Sequence, residues 1–153
     1  MSKQSTQNQA PQYFDLITTG VGYLNRYREV KPDRGPAYKC CTINALVGPS
    51  DSVEYREFDV RLVGWQALDA LAILAPHVEA KKKVLVTFRI GDAMPSDYTY
   101  TRTDRTSGQS EQVKRFCNKG RLLQIMSAKV DGQDIELPQV ERPEHADKTG
   151  TDN

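Results

Sequence analysis

The residues in this chain best suited to chemistry are tyrosines set among cations. The stretch Thr19-Gly20-Val21-Gly22-Tyr23-Leu24-Asn25-Arg26-Tyr27-Arg28-Glu29-Val30 crowds Tyr23, Arg26, Tyr27 and Arg28 together. A single-stranded nucleic acid needs cations for its phosphates and π-faces for its unpaired bases, so this interleaving suits such a strand. Tyr38, Tyr55, Tyr98 and Tyr100 add rings, and Lys39, Arg61, Arg89, Arg102, Arg105, Lys114, Arg115 and Arg121 add charge along the chain. Each base stacked on a ring is typically worth ~1–3 kcal/mol. The plain alternative for any one tyrosine is core packing with its hydroxyl at the surface.

Catalytic readings find less. His77 and His145 are the only histidines, and His77 follows Pro76. Nothing favours a Cys–His nucleophile pair over a buried thiol. There is no C-x-x-C or Cys/His cluster for zinc and no glycine loop with a following lysine to cradle a phosphate. Glu57 and Asp59 lie one side-chain repeat apart on an outward strand face, a spacing able to bind a divalent ion but far more often used for ion pairs. Adjacent Cys40 and Cys41 point to opposite faces of a strand and form no ready disulfide. The expectation is a non-enzyme without cofactor or metal, with reduced thiols in a cytoplasmic setting.

These side chains must be held by elements that read mainly as strands. Phe14 to Leu24 is rich in β-branched and aromatic residues, and Lys31-Pro32-Asp33-Arg34-Gly35-Pro36 is turn chemistry. Tyr38 to Val47 forms a second strand. Tyr55 to Val63 forms a third, with Phe58, Val60 and Leu62 inward and Tyr55, Glu57, Asp59 and Arg61 outward. Gly64 then breaks the period, and Trp65 to Ala75 switches to a helical one. Its expected buried stripe is Trp65, Leu68, Leu71 or Ala72, and Ala75, with Trp65 as a core plug and Pro76 as the stop. Lys81-Lys82-Lys83 reads equally as a solvated turn or a nucleic-acid contact. Val84 to Ile90 is a fourth strand, which Tyr98 to Thr103 extends or covers as a flap. A polar loop spans Asp104 to Gln112, Arg121 to Val130 is a fifth strand, and Asp131-Gly132 signals a hairpin to a short strand near Ile135.

Three strands, one helix and two more strands match the five-stranded Greek-key barrel of the oligonucleotide/oligosaccharide-binding fold (OB-fold), here with a C-terminal hairpin. Gly20 and Gly22 sit where such a barrel needs its first strand to coil, which favours it over an open sheet. The expected organisation is a polar tail at 1–12, the all-β domain at 13–140, and an acidic tail at 141–153. The 153 residues carry a net charge of +1, which by itself selects no partner. The charge is unevenly spread: five basic and two acidic residues from Arg26 to Lys39, seven and two from Tyr98 to Lys129, but six and eight between Cys40 and Asp97. Two basic segments that met in space would form one positive surface. The N-terminal stretch lacks the apolar core of a signal peptide, and no apolar run approaches the ~20 residues of a membrane span.

Some of these phrases resemble known families. Gly22-Tyr23-Leu24-Asn25-Arg26 with Glu29-Val30, Arg61-Leu62-Val63-Gly64 before an alanine-rich helix, and Lys82-Lys83-Val84-Leu85-Val86 resemble bacterial single-stranded DNA-binding proteins. The closer resemblance is to an uncharacterised family of small proteins carried on integrative and conjugative elements and labelled replication proteins. It runs through Tyr13-Phe14-Asp15-Leu16, Thr19-Gly20 to Pro32, Asp59 to Gly64, Ala80 to Val86, Phe88 to Asp92, Lys119 to Leu123 and Ala128 to Gly132. It implies an OB-like fold in a mobile-element setting. This chain departs from the DNA-binding family by carrying Glu57 near the position of a third-strand tryptophan, and its acidic tail lacks the terminal apolar residue.

The resulting expectation is a cytoplasmic, self-associating protein that binds single-stranded DNA during replication or transfer of a mobile element. Its groove would be lined by Tyr23, Arg26, Tyr27, Arg28, Lys39, Tyr55, Arg61, Arg89, Tyr98, Tyr100, Arg102, Arg105, Lys114, Arg115 and Arg121. The alternative is an OB-fold module that binds replication or conjugation proteins instead.

Overall fold

The structure is a computed structural model, and it describes residues 11–12 and 14–139. The expected tails therefore fall almost wholly outside the described residues, as does His145. In chain order the elements are β1 (Ile17–Val30), β2 (Tyr38–Val47), β3 (Glu54–Leu62), α1 (Trp65–Glu79), β4 (Val84–Thr103), β5 (Ser110–Val130) and β6 (Gln133–Ile135). Among the described residues this is one mostly antiparallel sheet with a single helix, an all-β architecture. Among the described residues no helix is long and apolar enough to cross a membrane.

The sheet order is β3-β2-β1-β4-β5-β6, and β5 also runs parallel to β3 from Phe58↔Asn118 to Leu62↔Leu122. Pairing thus passes round the circuit β1-β2-β3-β5-β4-β1. The length of β1 makes this possible. Its first half, from Ile17 to Tyr23, pairs with β4, and Gly22 to Val30 pairs with β2. Gly22 sits at the handover, where an added Cβ would lie 2.7 Å from the Asn44 carbonyl oxygen and 2.8 Å from Ile43 Cγ2. Only hydrogen fits there, the close approach of a neighbouring backbone that a glycine in a strand permits. Further along, a bulge interrupts the register between Asn25 and Arg28, with Arg26 left-handed at φ 53°.

Alternation on β3 holds as expected: Phe58, Val60 and Leu62 are buried. They meet Cys41 and Ile43 of β2, Val86, Phe88 and Ile90 of β4, and Leu122 and Ile125 of β5. Burying each such large apolar side chain is worth ~1.5–3 kcal/mol, so this core carries most of the stabilisation.

The helix departs from expectation in two ways. It runs on to Glu79 through Pro76, because proline lacks only its own N–H while its carbonyl still accepts from Ala80 N–H at 3.0 Å. It is also rotated. The buried residues are Gln66, Ala67, Ala70, Leu71 and Leu74, and Trp65 is 54% exposed, so it is no core plug. Two contacts account for the rotation. Gln66 grips the Ile125 backbone, with Nε2 donating to Ile125 O at 2.7 Å and Oε1 accepting from Ile125 N–H at 2.8 Å, while Nε2 also reaches Pro138 O. The small Ala67 and Ala70 then let the helix lie close on the sheet, which Trp65 on that face would prevent.

Strand bounds also shift. β1 begins at Ile17 and continues to Val30, and β5 starts at Ser110 rather than near Arg121. Pairing explains both, because exposed polar residues become strand when a neighbour supplies the backbone partners. From Ser96↔Cys117 outward, beyond the last β3 partner on β5, β4 and β5 form a two-stranded arm ending at Thr103↔Ser110. Asp131 and Gly132 (φ 50° and 85°) make the expected tight turn into β6.

Candidate nucleic-acid interface

The outer face of β3 gathers part of the predicted set. Inward residues leave Tyr55, Glu57, Asp59 and Arg61 pointing out, and the β2 and β5 neighbours add their own outward side chains. Arg28 of β1 reaches Asp59 Oδ1 through Nη2 at 2.9 Å, and Lys119 Nζ reaches Asp59 Oδ2 at 3.1 Å. Glu57 receives the Tyr98 hydroxyl at 3.4 Å and lies 3.9 Å from Arg115. Tyr98 and Arg115 both stand on the arm, so these contacts tie its root to β3. The Glu57/Asp59 pair is thus an ion-pair face. Among the described residues no group of three or more His, Cys, Asp or Glu side chains is placed to hold a metal ion.

At the near end of the same face the Arg61 guanidinium lies 4.2 Å from the Tyr38 ring centre. At the far end Tyr55 is 54% and Phe116 72% exposed, and the two line one shallow depression with Arg115. The two rings make a small exposed aromatic patch at this end of the face. The floor between these ends holds Cys40, Thr42 and Cys117, all buried beneath the charged side chains. Thr42 Oγ1 has no hydrogen-bond partner among the described residues.

The electrostatics follow from half-burial. Burial alone pushes the Asp59 carboxyl up, but hydrogen bonds from Arg28 and Lys119 outweigh it and hold the group below the usual carboxylate range. Burial likewise disfavours charge on Arg28, and the Asp59 hydrogen bond more than restores it, while the same carboxylate raises Lys119. Burial pushes the Cys40, Cys41 and Cys117 thiols up, so all three stay protonated and weakly nucleophilic at neutral pH. They are free, buried thiols, and Cys40 and Cys41 face opposite sides of β2.

The predicted residues divide among four places. Arg28, Tyr55, Arg61, Tyr98 and Arg115 share the β3 face. Along the arm, Tyr98 and Tyr100 lie with ring centres 6.3 Å apart, Arg102 pairs with Glu111 and Lys114 with Asp97, and Arg105 sits in the terminal turn. Arg121 stands opposite Arg61 in the β3–β5 register and pairs with Asp92, whereas Arg89 lies between Thr19 of β1 and Gln124 of β5, on the opposite side of the circuit from β2 and β3. Tyr23, Arg26 and Tyr27 turn to a separate notch beside the end of α1, with Lys39 lying 5.9 Å from the Tyr27 ring. The single groove expected from sequence is therefore smaller. Tyr23, Arg26 and Tyr27 leave it for the notch, where the bulge re-aims Arg26, and the β4 register carries Arg89 away.

Phe116 and Lys119 are additions. Both fall in a stretch whose polar composition hides its strand character, and alternation from Val113 through Cys117 was the available signal. A family model described as protein of unknown function (DUF3577) matches residues 6–143. No curated protein and no solved structure matches the chain. The match spans most of the 153 residues, and the chain belongs to that family.

Proposed function

We propose that this DUF3577 member binds single-stranded DNA along the outer face of β3, without chemistry on it. One observation carries the reading. The circuit of strands brings Arg28 from β1, Lys119 and Arg115 from β5 and Arg61 from β3 together, bordered by Tyr38, Tyr55 and Phe116. Cations and accessible rings gathered at one surface suit phosphates and unstacked bases at once. The strand circuit with one helix between β3 and β4 supports a closed OB-type barrel, whose binding face lies across its second and third strands. The resemblance to mobile-element replication proteins supports a role in coating or handing over strands during replication or transfer. Self-association fits an edge such as β6, which pairs with β5 alone among the described strands.

The test is fluorescence anisotropy of a labelled ~30-nucleotide strand against salt. Binding that strengthens steeply as salt falls, with a log–log slope of several units, supports the proposal. No binding at low salt refutes it.

A second reading has its own observation. Trp65 is 54% exposed, with Val63 and Leu68 also exposed, an apolar grouping suited to a protein partner in the same machinery. A partner lost on Trp65→Ala but kept by Arg28→Glu and Arg115→Glu would favour it.

A further inference from the structure

We propose that the notch beside the β1 bulge is a second phosphate-binding station, taking the backbone of the same strand as it runs on past β1. The notch rests on the strand-binding reading and extends it to a surface separate from the β3 face. On a regular strand, Arg26 and Arg28 would share one side. The bulge and the left-handed Arg26 separate them, sending Arg28 to Asp59 and Arg26 into a notch of about 490 Å³. Arg28 Nη1 also donates to Arg26 O at 3.0 Å, so the two surfaces are joined at the bulge itself.

The opposite wall of the notch is Lys81, Lys82 and Lys83. They leave α1 on a closed turn, with the Lys81 N–H donating to Val78 O and the Lys82 N–H to His77 O. Lys83 is clamped from both sides, its N–H donating to the Asp131 carboxylate and its carbonyl accepting from Asp131 N–H. Among the described residues none of these four cations has an acidic partner within salt-bridge distance, and Glu79 is the one carboxylate in the lining. Lysines at a helix C-terminus stabilise its dipole, which accounts for them singly. That role does not account for Arg26 arriving from β1, or for Tyr23 and Tyr27 in the same lining. Rings beside clustered cations fit a nucleotide chain better than a bare anion.

The test uses the full chain and labelled oligothymidylates of about 10 and about 35 nucleotides across a salt series. The short strand fills the β3 face, and the longer one reaches the notch. Wild type should bind the longer strand with a slope about two units steeper, from three added phosphates at ~0.7 each. A folded Arg26→Asn/Lys82→Gln/Lys83→Gln variant should lose that increment and bind the short strand as wild type does. Asparagine is chosen at position 26 because it tolerates the left-handed backbone. An unchanged slope on the longer strand overturns the notch and leaves the β3 face standing. Wild type binding neither strand overturns both. If the triple variant does not fold, Lys82→Gln alone must remove about a third of the increment, and its failure to do so overturns the notch equally.

Discussion

Asp59→Asn tests the β3 face most sharply, because it keeps the shape of a side chain while removing its charge and one of its two acceptor oxygens. In the free protein the Asp59 side chain, 18% exposed, holds both Arg28 and Lys119. Two cations against one carboxylate give the trio a charge of +1, and the substitution makes it +2. A phosphate seated between Arg28 and Lys119 must compete with that carboxylate. One unit charge at about 4 Å in a water-like dielectric is worth about 1 kcal/mol, or about fivefold in Kd. The variant should therefore bind a ~30-nucleotide strand about fivefold more tightly at low salt, with a slope steeper by up to ~0.7. It should also be less stable. A charge-assisted hydrogen bond contributes ~1.5–3 kcal/mol when sheltered and under ~1 kcal/mol when exposed, and the partners Arg28 and Lys119 are 31% and 50% exposed. A loss of about 1–2 kcal/mol in urea unfolding is expected. Gain in affinity with loss of stability is the signature of a carboxylate that competes with the ligand. A folded variant whose affinity is unchanged or weaker would refute the reasoning, since the two cations would then not be meeting phosphate.

Three further outcomes are expected. Phe116→Ala should weaken strand binding by ~1–3 kcal/mol in the same anisotropy assay and leave the melting temperature nearly unchanged, because the ring is 72% exposed. Gln66→Ala should destabilise by about 2–4 kcal/mol in urea unfolding, since it strands the buried N–H and carbonyl of Ile125 together. Asp59 also sets an acid dependence. Its folded value lies below the ordinary carboxylate value near 4, so its contribution is complete above about pH 4 and is lost as pH falls through the lower folded value. Melting temperatures taken from pH 7 to pH 3 should therefore drop more for wild type than for Asp59→Asn.

Much of the scaffold is written in local pattern. The two-residue period from Tyr55 to Val63 separates core from surface on β3, the switch at Gly64 places the helix, and Asp131-Gly132 makes the final hairpin because both positions must be left-handed. The cations and rings of the β3 face were legible as residue types for the same reason, since alternation says which side of a strand a residue faces. Local pattern cannot say which strands become neighbours. The parallel contact of β3 with β5 decides that Lys119 meets Asp59, and the register of β4 decides that Arg89 does not. Extended pairing also turned the polar run from Ser110 into strand, exposing Phe116 on the arm.

The helix carries the same lesson in one turn. Its period was plain, but its rotation was settled by Gln66 on the Ile125 backbone and by two alanines small enough to lie against the sheet. The chain alone thus determined most of the elements and, where alternation is clear as on β3, which side of a strand is wet. Tertiary structure decided which wet sides meet, because backbone pairing and close packing join residues far apart in sequence. That is how Arg26 and Arg28, two positions apart, came to serve different surfaces.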